Sequence, residues 1–100
     1  MNANAYQTTS TKKSIYGFIY EIAGAVQMTN KNTGKQKYFL VCRLQDNAEN
    51  RRTYGNNDGF INRDWVIRFT SDFSGITQRV AAAMPQVDHT EFNYPEWDWV

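Results

Sequence analysis

One hundred residues, 41% hydrophobic and 15% aromatic, are enough to fill one core and leave no room for a second domain. The single cysteine, Cys42, excludes an internal disulfide, and no apolar run approaches the roughly twenty residues that span a bilayer. The net charge of +1 averages two unlike regions, because residues 1–79 hold all eleven Lys and Arg against six acids, whereas residues 80–100 hold four acids and no base. Such a basic body attracts polyanions.

Residues 1–13 are rich in Asn, Thr, Ser and Lys and carry no apolar periodicity, which predicts a mobile N-terminal arm whose Lys12 and Lys13 are free to order on a partner. The arm also lacks the apolar stretch of a signal peptide. With one cysteine and no membrane span, the expected setting is soluble and intracellular.

From Ser14 to Met28 the chain is dense in β-branched and aromatic residues and reads as one long strand, with Gly17 and Gly24 marking bends or bulges that let it coil. Residues 29–35, Thr-Asn-Lys-Asn-Thr-Gly-Lys, form a turn that brings the next strand back antiparallel. That strand, Gln36 to Asp46, alternates clearly: Tyr38, Leu40, Cys42 and Leu44 face one way, and Lys37, Phe39, Val41, Arg43 and Gln45 face the other. A short strand over Arg51–Tyr54 follows, then the turn-rich Gly55–Gly59, then a strand over residues 65–70 with Trp65, Ile67 and Phe69 on its core face.

Ser71 or Asp72 can cap a helix in which Phe73, Ile76, Val80 and Ala83 or Met84 recur at helical spacing, and Pro85 ends it. Gly75 weakens this helix, so it should depend on packing against the sheet. The predicted fold is mainly β: a small five-stranded barrel, open or closed, spanning residues 14–94 with one short helix. Residues 95–100 form an acidic, aromatic tip.

Phe39 and Val41 share a face with Lys37 and Arg43, an arrangement that a plain solvated face would not hold. Either a second layer covers the two apolar residues or a ligand does. Aromatic rings stack on bases and neighbouring cations meet phosphates, so the combination suits single-stranded nucleic acid. Tyr16, Phe18 and Tyr20 would extend the platform, and Arg51, Arg52, Tyr54 and Arg68 would supply the adjoining edge.

The runs Tyr16-Gly17-Phe18-Ile19-Tyr20-Glu21-Ile22, Thr33-Gly34-Lys35-Gln36-Lys37-Tyr38-Phe39 and Leu44-Gln45-Asp46 together resemble the opening of an OB-fold of the replication protein A type. The resemblance covers about a third of the chain and implies single-stranded DNA binding in replication, recombination or repair, through strands two and three and their loops. Lys37, Phe39 and Arg43 would be the platform, with Lys31 and Lys35 in the first hairpin loop. The order of elements departs from the family, which sets its helix between strands three and four and follows it with two more strands. An open edge would need a second subunit or the terminal segment to cover it.

The end of the chain, Glu96-Trp97-Asp98-Trp99-Val100, resembles the acidic aromatic tip with which single-strand binding proteins dock replication or repair enzymes, making Trp97, Asp98 and Trp99 candidate partner contacts. They could equally pack on the barrel as a last strand. A second class of function is protein capture, as an inhibitor or adaptor, through a sheet edge or this tip. Nothing recommends an enzyme: His89 beside Asp88 is a lone pair in a loop, Cys42 reads as a small buried hydrophobe, and one Cys with one His cannot build a zinc site. No cofactor motif is present, and whether the strand bound is DNA or RNA stays open.

Overall fold

The computed structural model describes residues 7–30 and 32–87. Four strands, β1 (Ser10–Lys13), β2 (Ile19–Thr29), β3 (Gln36–Leu44) and β4 (Val66–Phe69), form one antiparallel sheet in sequential order. Helix α1 (Ala48–Tyr54) lies between β3 and β4, and a single 3-10 turn, Thr70–Asp72, leads to helix α2 (Gln78–Ala83). The domain is therefore mainly β and OB-like, with a helix between its third and fourth strands, four strands among the described residues, and a sheet that does not close. No helix among those residues is long and apolar enough to cross a membrane.

The long first strand expected from Ser14 starts only at Ile19, because residues 14–18 form a turn. Gly17 at φ +96° lets the chain reverse, with Ser14 N–H donating to the Phe18 carbonyl at 2.8 Å and Gly17 N–H to the Ser14 carbonyl at 3.0 Å. Ser10–Lys13, assigned above to an arm, thus become a strand paired with Ile19–Ile22. Backbone pairing orders a polar segment that has no apolar period of its own.

Gly24 marks the second irregularity, a bulge at which the β2–β3 register shifts between Ile22 and Gly24. Here β1 has ended, and residues 85–87 take its place: Ala25 N–H donates to the Pro85 carbonyl at 2.9 Å and Val87 N–H to the Ala25 carbonyl at 2.8 Å. The chain's own segment thereby covers the exposed backbone of β2. At the far end of β1 an isolated bridge, Ser14 to Phe73, joins the strand's end to the segment after β4.

Both faces of the sheet are buried. Ile22, Ala25, Leu40 and Cys42 pack with Phe73, Ile76 and Ala81 beneath α2, and Ala23, Val26, Phe39 and Val41 pack with Trp65 and Ile67 on the opposite side. The turn between β2 and β3 is where the sequence placed it. Asn30 Oδ1 accepts from the N–H groups of Asn32 and Thr33 at 2.8 and 3.0 Å, and Gly34 takes φ +74°.

Two further expectations need correction. Arg51–Tyr54 are helix, not strand, because Asn47 caps α1 by accepting from Asn50 N–H at 2.8 Å. Asn50 then pins the helix to the sheet, donating from Nδ2 to the carbonyls of Ile19 at 3.1 Å and Gln45 at 2.8 Å. The predicted helix after Ser71 begins six residues late, at Gln78, since Gly75 sits at φ +81° and Thr77 is the cap. Phe73 and Ile76 are buried as expected, but from the non-helical backbone ahead of α2.

Candidate nucleic-acid interface

The platform proposed along the outward side of β3 is not a free surface. Phe39 is only 4% exposed and Val41 is fully buried, so the Phe39 ring cannot offer its face to a base. The two faces of β3 alternate as the sequence predicts, and a second layer containing Trp65 and Ile67 covers Phe39 and Val41. Lys37 and Arg43 lie toward opposite ends of the strand. The Lys37 ammonium sits 5.2 Å from the ring of Phe69 and 5.9 Å from that of Phe39, and the Arg43 guanidinium stacks 4.4 Å from Trp65.

Lys35 is exposed in the β2–β3 turn, roughly 26 Å along the strand from Arg43 at 3.3 Å per residue. The first hairpin and the Arg43 end therefore do not form one patch. Tyr16 is exposed at the β1–β2 turn, whereas Tyr20 packs edge-on against Phe73, at 5.6 Å and 81°, at the margin of the core. Lys31 and the tip residues Trp97, Asp98 and Trp99 lie outside the described residues, as does His89.

What the fold does assemble is a cleft of about 570 Å³ at the Arg43 end, between α1 and the segment leading to β4. Arg43, Arg51 and Arg63 line it, together with Phe60, Asp46 and Asp64. Each side chain has a local cause. Asn56 folds the loop by accepting at Oδ1 from the N–H groups of Asp58 and Phe60, both at 3.0 Å, and Gly59 completes the turn at φ +76°. Ile61 and Trp65 then bury and anchor the segment, which turns Phe60 outward to 70% exposure.

Carboxylates hold the guanidiniums in position. Arg43 Nε and Arg63 Nη2 both donate to Glu21 Oε1, at 2.7 and 2.9 Å, and Arg51 makes a two-point pair with Asp46 through Nε and Nη2. The hydrogen bond from Arg51 holds the Asp46 carboxyl below the usual carboxylate range and raises Arg51 in return. A guanidinium carries five N–H donors, so Arg43 and Arg63, each spending one on Glu21, keep others for a ligand.

Arg52 and Tyr54 are exposed on α1, and Tyr54 is held edge-on by Phe18 at 5.0 Å and 67°. Tyr54 and Arg68 border a second, smaller cavity. Of the residues named from sequence, the structure thus brings Arg43 and Arg51 together, sets Tyr54 and Arg68 on the walls of the smaller cavity, leaves Arg52 exposed on α1 and among the walls of neither, and separates Lys35 and Lys37 from all of them. Phe60 and Arg63 were missed. The Asp58-Gly59 turn directly before an aromatic residue was the available signal for Phe60, and nothing local marks Arg63, whose partner Glu21 is forty-two residues away. No protein-family model, curated protein or solved structure matches this chain.

Proposed function

We infer that the protein binds single-stranded nucleic acid, foremost DNA, in the cleft beside α1, as a sequence-tolerant factor in replication, recombination or repair. The observation that carries this reading is the exposed ring of Phe60 on a cleft lined by three guanidiniums. An unstacked base gains about 1–3 kcal/mol on such a ring, and a planar guanidinium meets phosphate oxygens in pairs. The excess of bases over acids in residues 1–79 draws a polyanion toward the site before contact. Duplex DNA keeps its bases stacked inside and has no use for an exposed ring, so the cleft suits a single strand better.

Capture of a protein through the sheet edge has less support. Both edge strands, β1 and β4, are only four residues long, and β1 carries Lys12 and Lys13, features that discourage further strand pairing.

The test is quenching of the native tryptophan fluorescence by an oligothymidine at two salt concentrations, since Trp65 lies directly against Arg43. Engagement of three phosphates gives a slope of log affinity against log salt of about −2. Absence of binding at low salt would remove the assignment.

A further inference from the structure

Asn62 and Asp64 border two cavities. Besides the arginine cleft they line a second one of about 280 Å³, whose other walls include the rings of Tyr20 and Tyr54 and the side chain of Arg68. Leu44 and Val66 complete it. We propose that this second cavity is a base-reading subsite on the same strand path and that it selects guanine. The proposal rests on the nucleic-acid reading of the neighbouring cleft.

Size comes first. The cavity falls just below the range of about 300–1,000 Å³ that holds drug-sized ligands, and suits one planar heterocycle. Its two rings are held in place before any ligand arrives, Tyr20 by its edge contact with Phe73 and Tyr54 by its edge contact with Phe18. Rings fixed in this way stack a base without the entropy loss of ordering them.

Charge then decides which part of a nucleotide enters. Arg43, Arg51 and Arg63 are each matched to a carboxylate, but among the described residues Arg68 makes no salt bridge and spends one donor on the Ile67 carbonyl at 3.2 Å. Asp64 makes no salt bridge there either, and its backbone is set by donating its N–H to Asn62 Oδ1 at 2.8 Å. In the smaller cavity a single cation, Arg68, stands against Asp64, whereas the cleft sets three arginines against its two aspartates, so the smaller cavity favours a neutral group over phosphate. That group must offer hydrogen-bond donors to Asp64 and acceptors to Arg68.

Guanine alone among the four DNA bases has two adjacent N–H donors, at N1 and the 2-amino group, to meet both oxygens of a carboxylate. It also presents the O6 and N7 acceptors that pair with a guanidinium. Adenine lacks a carbonyl, and cytosine and thymine each have one donor position on that edge. Because the two cavities share Asn62 and Asp64, a strand whose backbone lies along the arginines delivers a neighbouring base into the second cavity.

The experiment compares a short oligothymidine with the same strand carrying one central guanine or one central adenine, on the wild-type protein and on Asp64→Asn. The guanine strand should bind about fivefold tighter or more than the other two, and Asp64→Asn should bring that ratio close to one; because Asp64 also lines the arginine cleft, the ratio between strands measured on the same variant is the readout. Equal affinities in the wild type, or a guanine preference that survives Asp64→Asn, would overturn the subsite and leave the cleft assignment standing. Failure of all three strands to bind would remove both.

Discussion

The side-chain amide of Gln78 pairs with both backbone groups of Tyr38, accepting from its N–H at 2.7 Å and donating to its carbonyl at 2.9 Å. The β3–β4 ladder stops at Phe39 opposite Phe69, and one residue further Gln78 stands where another strand residue would. Its Nε2 also donates to Oγ1 of the buried Thr70 at 3.1 Å. Gln78→Ala leaves these groups without partners, and we expect a loss of about 2–3 kcal/mol. Urea denaturation measures it. A loss below about 0.5 kcal/mol would mean that water takes over the role of the amide.

Gly24 and Gly34 make a paired test of steric against conformational need. A Cβ at Gly24 would lie 2.2 Å from the Pro85 carbonyl oxygen, so Gly24→Ala must push residues 85–87 off β2 and break their bonds to Ala25. A Cβ at Gly34 would meet nothing within 4 Å, but φ is +74° there, and Gly34→Ala costs about 1–2 kcal/mol of backbone strain. Gly24→Ala should be the more destabilising in urea denaturation. The reverse order would argue against docking of residues 85–87 on β2.

These residues also show what was legible in the sequence. The alternation of β3 and the turns at residues 29–35 and 55–59 could be read because each rests on neighbours within a few positions. The alternation could not say which face stays open, because Phe39 is covered by Trp65 and Ile67 from β4 and the segment leading into it, and the hairpin turn at Gly17 was read as a bend for want of knowing what Ser10–Lys13 would pair with. Helix α1 is seven residues long, too short for a helical period to show in Ala-Glu-Asn-Arg-Arg-Thr-Tyr, so only its Asn47 cap was there to be noticed. Arg51 was named as a candidate without the helix that places it. The arginine cleft depends on Glu21 holding two arginines distant in the chain, a relation that no local pattern announces.

Cys42 provides a reporter of global opening. Its thiol is buried in the core beneath α2, and desolvation pushes its pKa up to about 12 from 9.0, with Arg68 pulling it partly back. The native state holds this proton more tightly than the unfolded chain does, so the stabilisation is complete below pH 9 and is lost as the pH rises toward 12. At pH 8 an alkylating reagent should leave the folded protein unmodified and label Cys42 only as molecules unfold, faster in Gly24→Ala than in the wild type. Rapid labelling of the wild type at that pH, read by mass spectrometry, would contradict the burial.

Phe39 and Phe60 should respond oppositely to the same truncation, because one ring is sealed in a core and the other faces a cleft. Phe39→Ala removes a ring packed against Trp65, Ile67 and Val26, and losses of about 3–5 kcal/mol are usual for such a site. That is a large share of the 5–15 kcal/mol that holds a typical domain together, so Phe39→Ala should melt far below the wild type. Phe60→Ala removes a ring 70% exposed to water, and its stability should stay within about 0.5 kcal/mol of the wild type. If bases stack there, its affinity for oligothymidine should fall by a factor matching about 1–3 kcal/mol, with the salt slope unchanged because no cation has been removed. Arg63→Ala, which removes one of the three cleft guanidiniums, should do the converse, flattening the slope by about 0.7 with a smaller loss of affinity at low salt. Thermal melts and titrations on the three variants separate these outcomes, and an unchanged affinity in Phe60→Ala would move the stacking surface away from the cleft.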